Sequence, residues 1–240
     1  MHLNKIVVNS NRFPTKEYYP FNLSVFQSTG SIEFSSPVTF FTGENGSGKS
    51  TLLRAISKAC GIHIWGEVER TRYENNPYED ELYRAVDTEW ADGSVPGSYF
   101  DSQLFRNFAS MLDEWASADP AMLKYFGGKS LITQSHGQSL MSFFRSRFLI
   151  KGLYFLDEPE TALSPRSQLK LLNVLNEARA RGNAQFIIAS HSPILLSCPM
   201  AEIYNFDTVP VSHIEYIETE HYRIYKEFME SRNNSTITRQ

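Results

Sequence analysis

The residues best suited to chemistry form the run Gly43-Glu44-Asn45-Gly46-Ser47-Gly48-Lys49-Ser50-Thr51, which has the spacing G-x-x-x-x-G-K-[ST]. Glycines at these positions let successive backbone N–H groups curl around a phosphate at a helix N-terminus, where the dipole favours anions. Lys49 would bring a positive charge to the outer phosphates of ATP, and the Ser50 hydroxyl could ligate Mg²⁺. A chance glycine turn would look the same in isolation. Here the run follows an apolar stretch and precedes an amphipathic one, which is the strand–loop–helix order a phosphate cradle needs. Lys49 is expected in a solvated loop, touching ligand more than protein, so that its removal would cost the empty fold little.

Three further groups matter by their position. Leu153-Tyr154-Phe155-Leu156 is a continuous apolar run ending in Asp157-Glu158-Pro159. A buried strand ending in two carboxylates aims them past the edge of its sheet, where Asp157 could hold Mg²⁺ and Glu158 could polarise an attacking water. Without the glycine run this would be an ordinary strand ending. Gln134-Ser135-His136-Gly137-Gln138-Ser139, with Ser135 lying 22 residues before Asp157, would by itself be a polar turn ahead of an amphipathic helix. Ala189-Ser190-His191-Ser192-Pro193 puts a histidine at the end of another apolar run, 34 residues after Asp157. A lone histidine in that setting is usually a hydrogen-bonded structural residue.

Positioning these groups requires an α/β scaffold. Residues 5–8 and 31–42 read as strands, and 49–60 as a helix with Leu52, Leu53, Ile56 and Cys60 on one face and Gly61 as its stop. Residues 66–150 change character, with tryptophan, tyrosine, acidic residues, helical periodicity around 101–126 and no long alternating strand; they read as an inserted helical lobe. The core resumes at 151 with a strand through 153–156. A helix follows, capped by Ser164-Pro165, facing inward through Leu169, Leu172, Leu175 and Ala178 and ended by Gly182. Strands at 186–189 and 203–206 come next, then a polar helix from His221 that frays near Asn233.

Composition bounds the rest. The chain has 240 residues, 41% of them hydrophobic, and a formal charge of −4, which argues against broad charge-driven adhesion to nucleic acid or membrane although a local basic strip would be hidden in the sum. Cys60 and Cys198 lack metal or redox spacing and read as small core residues. With no leader-like start and no stretch of about 20 apolar residues, the expected location is the cytoplasm, without direct membrane insertion.

Taken in order, the four groups resemble ABC-type ATPases, and the full phrases resemble the compact "AAA family ATPase" group on the ABC/SMC/RecF side of the P-loop NTPases. The resemblance implies an α/β P-loop NTPase (RecA-like/ABC-type) core with an N-terminal antiparallel β portion and an inserted helical lobe, all in one domain spanning 1–240, with the core at 1–65 and 151–240. Residues 134–139 resemble the L-S-G-G-Q signature: Ser135, Gly137 and Gln138 match it, while Gln134 and His136 depart from it. In that family the signature caps the γ-phosphate held by the other subunit, which implies a homodimer on ATP binding. His191 resembles the switch histidine that contacts the γ-phosphate. Thr161-Ala162-Leu163-Ser164 resembles the D-loop that crosses the dimer interface. Gln103, in the aromatic segment 100–105, is the candidate Q-loop ligand of Mg²⁺, with a plain surface glutamine as the alternative. An adenine-stacking aromatic should precede the phosphate loop, with Phe13, Tyr18, Tyr19 and Phe21 all eligible.

Three functions compete for such a chain. One is an ATPase whose ATP-driven dimer switches a nucleic-acid or protein effector; here the 85-residue insertion lacks the heptads of SMC arms. The second is the nucleotide-binding subunit of a membrane transporter, against which stands the atypical signature. The third is an ATP-gated binding module that scarcely turns over, against which Glu158 argues.

Overall fold

The computed structural model describes residues 1–64, 76–102, 105–119, 121, 123, 130 and 136–237. Two sheets organise it. The smaller is antiparallel, in the order β2-β1-β4, built from β1 (Leu3–Val8), β2 (Ser31–Glu33) and β4 (Val86–Trp90). The larger runs β5-β6-β7-β3-β8-β9, from β3 (Val38–Thr42), β5 (Gly97–Asp101), β6 (Gly152–Asp157), β7 (Ala184–Ala189), β8 (Glu202–Asn205) and β9 (Ser212–His213). All its strands are parallel to their neighbours except β9, which runs antiparallel to β8.

Strands β3, β6 and β7 are buried at every position. That burial is why the sequence shows uninterrupted apolar runs there: both faces of a central parallel strand are covered. Successive side chains divide between the faces. Phe40, Tyr154, Leu156, Phe186 and Ile188 pack in one core with α4 (His136–Arg147) and α5 (Pro165–Arg181). Phe41, Leu153, Phe155, Ile187 and Ala189 pack in the other with α2 (Lys49–Ala59), β1 and the short α1 (Ser24–Ser28). Of the remaining helices, α3 (Phe105–Ala118) follows β5, α6 (Pro193–Leu196) follows β7, and α7 (Glu220–Ile237) ends the described chain.

The stretch expected to be an inserted helical lobe differs in two ways. Residues 86–101 supply β4 and β5, one strand to each sheet, so core strands lie inside 66–150. For β4 the signal was present, since Val86-Asp-Thr-Glu-Trp90 alternates, whereas the short aromatic run Ser98-Tyr99-Phe100 is ambiguous by itself. In α5 the buried face runs through Gln168, Leu171, Leu172, Val174, Leu175 and Ala178, whereas Leu169 is exposed. The helix stops at Gly182, in the left-handed conformation, as expected. The polar helix runs through Asn233 to Ile237.

Close strand approach makes one glycine structural. An added Cβ on Gly97 would lie 2.1 Å from Leu153 O, across the β5–β6 pairing, and 2.4 Å from the Ile62 side chain. Gly97→Ala is expected to destabilise the fold by about 2 kcal/mol and lower Tm by about 4–8 °C. Gly30→Ala, where a Cβ meets nothing within 4 Å, should stay within about 0.5 kcal/mol of the parent. Calorimetry of both variants is the check, and equal Tm values would contradict the packing argument.

Candidate active site

Strand order creates the site. β7 lies between β6 and β3 with their ends level, since Ala189 is in register with both Phe41 and Asp157. The loops after β3, β6 and β7 therefore meet at the C-terminal edge of the sheet, where open α/β sheets bind ligands.

The loop after β3 has Gly43, Gly46 and Gly48 at φ of 139°, 83° and 101°, conformations that side chains rarely adopt. At Gly43 and Gly48 space adds to the demand, since a Cβ would press on Asp207 and Phe26 at 2.9 and 2.8 Å respectively. Gly48 caps α2 without a side-chain hydrogen bond, and the first turn holds no acid, so the helix end stays open to an anion. Glu44, Asn45 and Gly46 are exposed around it. Lys49 differs from expectation: it is 4% exposed, and its Nζ donates to Gly43 O and Glu44 O at 2.7 Å and to Ser47 Oγ at 3.3 Å. The ammonium holds the loop closed on itself. Burial pulls its pKa down, against the carboxylates of Glu158, Asp207, Asp157 and Glu44.

Asp157 is joined to this loop directly. Ser50 Oγ donates to its Oδ1 and Tyr99 Oη to its Oδ2, each at 2.7 Å. Burial raises the Asp157 pKa, the two hydroxyls oppose that rise, and Asp101 and Arg54 act in opposite directions. Arg54 pairs with Asp101 at 2.8 Å and lies over the Tyr99 ring. Glu158 sits at φ 43° and ψ 54°, a left-handed conformation that costs an L-residue about 1–2 kcal/mol. Its Oε1 is 3.5 Å from His191 Nε2, a buried atom with no hydrogen-bond partner.

His191 is held from two sides. Glu160 Oε1 accepts from His191 N at 2.6 Å, Ser190 Oγ at 2.9 Å and Ser192 N at 3.2 Å. His191 Nδ1 meets His221 Nε2 at 3.2 Å. Burial is the main cause lowering the His191 pKa, with Lys49 acting in the same sense and Glu158 against it. Gln168 ties the loops further, donating to Leu163 O at 3.0 Å and accepting from Ser192 Oγ at 2.6 Å.

The structure thus brings together Gly43 to Ser50, Asp157, Glu158 and His191. Thr51 adjoins them, 2.5 Å from the Tyr19 hydroxyl. Gly137 and Gln138 open α4, with the Gly137 Cβ position 3.7 Å from Ala162 O in the D-loop-like segment. Ser135 and Gln103 lie outside the described residues, although Gln103's neighbour Ser102 accepts from Thr161 Oγ1 at 2.6 Å. Sequence reasoning missed Tyr99, Glu160, Asp207 and His221. Only Glu160 carried a legible signal, as an acid two residues past Glu158.

Residues and ligand are compatible. An uncapped helix end with an embedded ammonium suits a polyphosphate, and the orphaned His191 Nε2 suits an acceptor oxygen. No cluster of three or more His, Cys, Asp or Glu that could hold a metal occurs among the described residues. A hydroxyl–carboxylate pair such as Ser50 and Asp157 matches Mg²⁺, which takes few protein ligands beside phosphates and water.

The comparisons agree with this geometry. A family profile described as "AAA domain" matches residues 21–86, and one described as "AAA domain, putative AbiEii toxin, Type IV TA system" matches 142–197. The chain is similar to the "Cytochrome c biogenesis ATP-binding export protein CcmA" of Gluconobacter oxydans (strain 621H), at 29% identity over 187 residues, covering 72% of this chain and 75% of that protein. Among solved structures, a nucleotide-free ATP-binding cassette from an ABC transporter superposes with TM-score 0.52 at 13% identity, covering 85% of this chain and 87% of that one. An SMC head bound to the C-winged helix domain of ScpA gives 0.51 at 12% identity, covering 90% and 98%. Another ATP-binding cassette of an ABC transporter gives 0.50 at 15% identity, covering 94% and 99%. No helix among the described residues is long and apolar enough to cross a membrane. The two AAA matches fall on the segments holding the phosphate loop and the acidic strand, so the chain is a P-loop ATPase, and its fold is one shared with ATP-binding cassettes and SMC heads.

Proposed function

We propose that this ATPase binds ATP with Mg²⁺ and hydrolyses it as a head-to-tail homodimer, switching a protein or nucleic-acid effector. The observation that carries the reading is the Ser50–Asp157 hydrogen bond of 2.7 Å with Glu158 and His191 immediately beside it. Gly43 to Thr51 hold the phosphates through backbone N–H groups and Lys49. Ser50 and Asp157 would hold Mg²⁺, with Gln103 as a third candidate, and the ion would supply positive charge to neutralise the phosphates. Glu158 takes the proton of the attacking water as a general base. His191 donates from Nε2 to a γ-phosphate oxygen. Tyr19 is our choice of aromatic for the base: it is 39% exposed and touches Thr51, whereas Phe21 is buried, Phe13 packs on Phe21 and Tyr18 packs on Tyr78.

Ser135, Gly137 and Gln138 are assigned to the partner's nucleotide, so activity should cross between subunits. Ser135→Arg and Lys49→Ala homodimers should each be inactive. In a 1:1 mixture half the dimers are mixed and each holds one intact site, giving about a quarter of wild-type turnover. No recovery on mixing would refute action in trans. Wild-type turnover should also rise more steeply than linearly with protein concentration around the dimer Kd.

A second reading, the nucleotide-binding subunit of a membrane transporter, is favoured by the likeness to an ATP-binding export protein. Co-fractionation with membranes that depends on an integral partner would select it over the switch.

A further inference from the structure

The ring of His191 has two nitrogens in different surroundings. Nδ1 lies 3.2 Å from Nε2 of His221, at the start of α7, and the rings meet edge to face with centroids 5.1 Å apart. Nε2 has no hydrogen-bond partner and lies 3.5 Å from Glu158 Oε1. Across the 3.2 Å contact one nitrogen must donate and the other accept. Were His191 Nδ1 the donor, the neutral ring would turn an Nε2 lone pair towards a carboxylate. Such a ring also has nothing to offer a phosphate oxygen, which only accepts. With His221 as donor, the His191 proton sits on Nε2, where Glu158 and a phosphate both stabilise it.

We infer that His221 is a positioning residue: it donates Nε2–H to His191 Nδ1 and fixes His191 as the Nε2–H tautomer aimed at the phosphate end of the site. The inference deepens the proposed role of His191 and rests on it. Tautomer matters here because the surroundings favour the neutral ring. Burial and the Lys49 ammonium lower its pKa, His221 adds to that, and Glu158 and Glu44 oppose it. The hydrogen bond at one imidazole nitrogen then decides which nitrogen carries the proton.

The backbone on both sides of the contact is pinned. Glu160 clamps the His191 backbone N–H at 2.6 Å. Thr219, 1% exposed, accepts from Tyr222 N through its hydroxyl and from Arg223 N through its carbonyl, pinning the first turn of α7 on either side of His221. Tyr216 and Tyr222 pack with ring centroids 4.8 Å apart next to it. Further along, α7 is exposed at Ile224, Tyr225, Phe228 and Met229, whereas His221 and Tyr222 in its first turn are half-buried.

The test uses the full chain with ¹⁵N-labelled histidine at pH 8, His191→Gln identifying the His191 resonances. Wild type is expected to show His191 protonated at Nε2 with Nδ1 as acceptor. In His221→Ala that preference should collapse to a mixture, kcat should fall about tenfold and KM for ATP should change less than about twofold. His221→Gln, whose amide N–H can still donate, should recover most of the lost turnover. A wild-type His191 protonated at Nδ1 would overturn the inference, as would a His221→Ala variant with unchanged tautomer and kcat. If instead His191→Ala leaves kcat unchanged, the proposed role of His191 fails, and the tautomer measurement still reports on His221.

Discussion

Replacing Lys49 by alanine lowers ATP turnover by at least about a hundredfold, the scale of losing one preorganised charge at a developing anion. The structure sharpens what this variant tests. Lys49 is not a side chain waiting in solvent: its ammonium is buried and holds two loop carbonyls at 2.7 Å. Those bonds keep the loop shaped for a phosphate before any arrives. Their loss leaves Gly43 O and Glu44 O without that donor, at a cost of about 1–3 kcal/mol. Relief of the charge's own desolvation acts the other way, so the fold should survive with a modestly lowered Tm. Nucleotide titration of the folded variant, followed calorimetrically, should show affinity lost with turnover. Wild-type hydrolysis by Lys49→Ala would refute the assignment of the phosphate loop.

Lys49 also shows what the sequence could and could not disclose. The residues proposed to act on phosphate are legible because their chemistry is local: glycines at positive φ, a lysine and a serine at fixed spacing, an apolar strand ending in acids. The central strands are legible because burial on both faces leaves uninterrupted apolar runs. What lies between these signals depends on long-range pairing. β5 was hidden because a short run such as Ser98-Tyr99-Phe100 is ambiguous until Gly97 and Asp101 find Leu153 and Asp157 across the sheet. Tyr99 reaches Asp157 only through that pairing, 58 residues away in sequence. Asp207 is likewise seen only once β8 lies beside β3 and its carboxylate caps Glu44 N at 2.7 Å. The burial of Lys49 is a property of the folded loop, since the same letters in a flexible turn would be solvated.

Glu158→Gln is expected to bind ATP, turn it over about 100- to 1,000-fold more slowly, and accumulate as a dimer. The amide is nearly isosteric, so the left-handed backbone at φ 43° and the packing of the loop carry over unchanged. What disappears is the carboxylate that accepts the water's proton. Ser50 and Asp157 remain paired, and Lys49 keeps its place in the loop. Removing the Glu158 charge weakens one influence that favours the Lys49 ammonium, but bound phosphates supply more negative charge than it did. ATP affinity should therefore hold while the chemical step stalls. If ATP joins the two subunits through Ser135 and Gly137, a stalled site prolongs the joined state, and the dimer gains only what ATP's differential affinity for it provides. Size exclusion with light scattering on the variant should give twice the 27.5 kDa chain mass in ATP–Mg²⁺ and one chain mass in ADP. A variant saturated with ATP that stays monomeric would leave hydrolysis uncoupled from assembly and refute the head-to-tail switch. A dimer equally stable in ADP would refute gating by the γ-phosphate, because a ligand that binds both states equally shifts nothing.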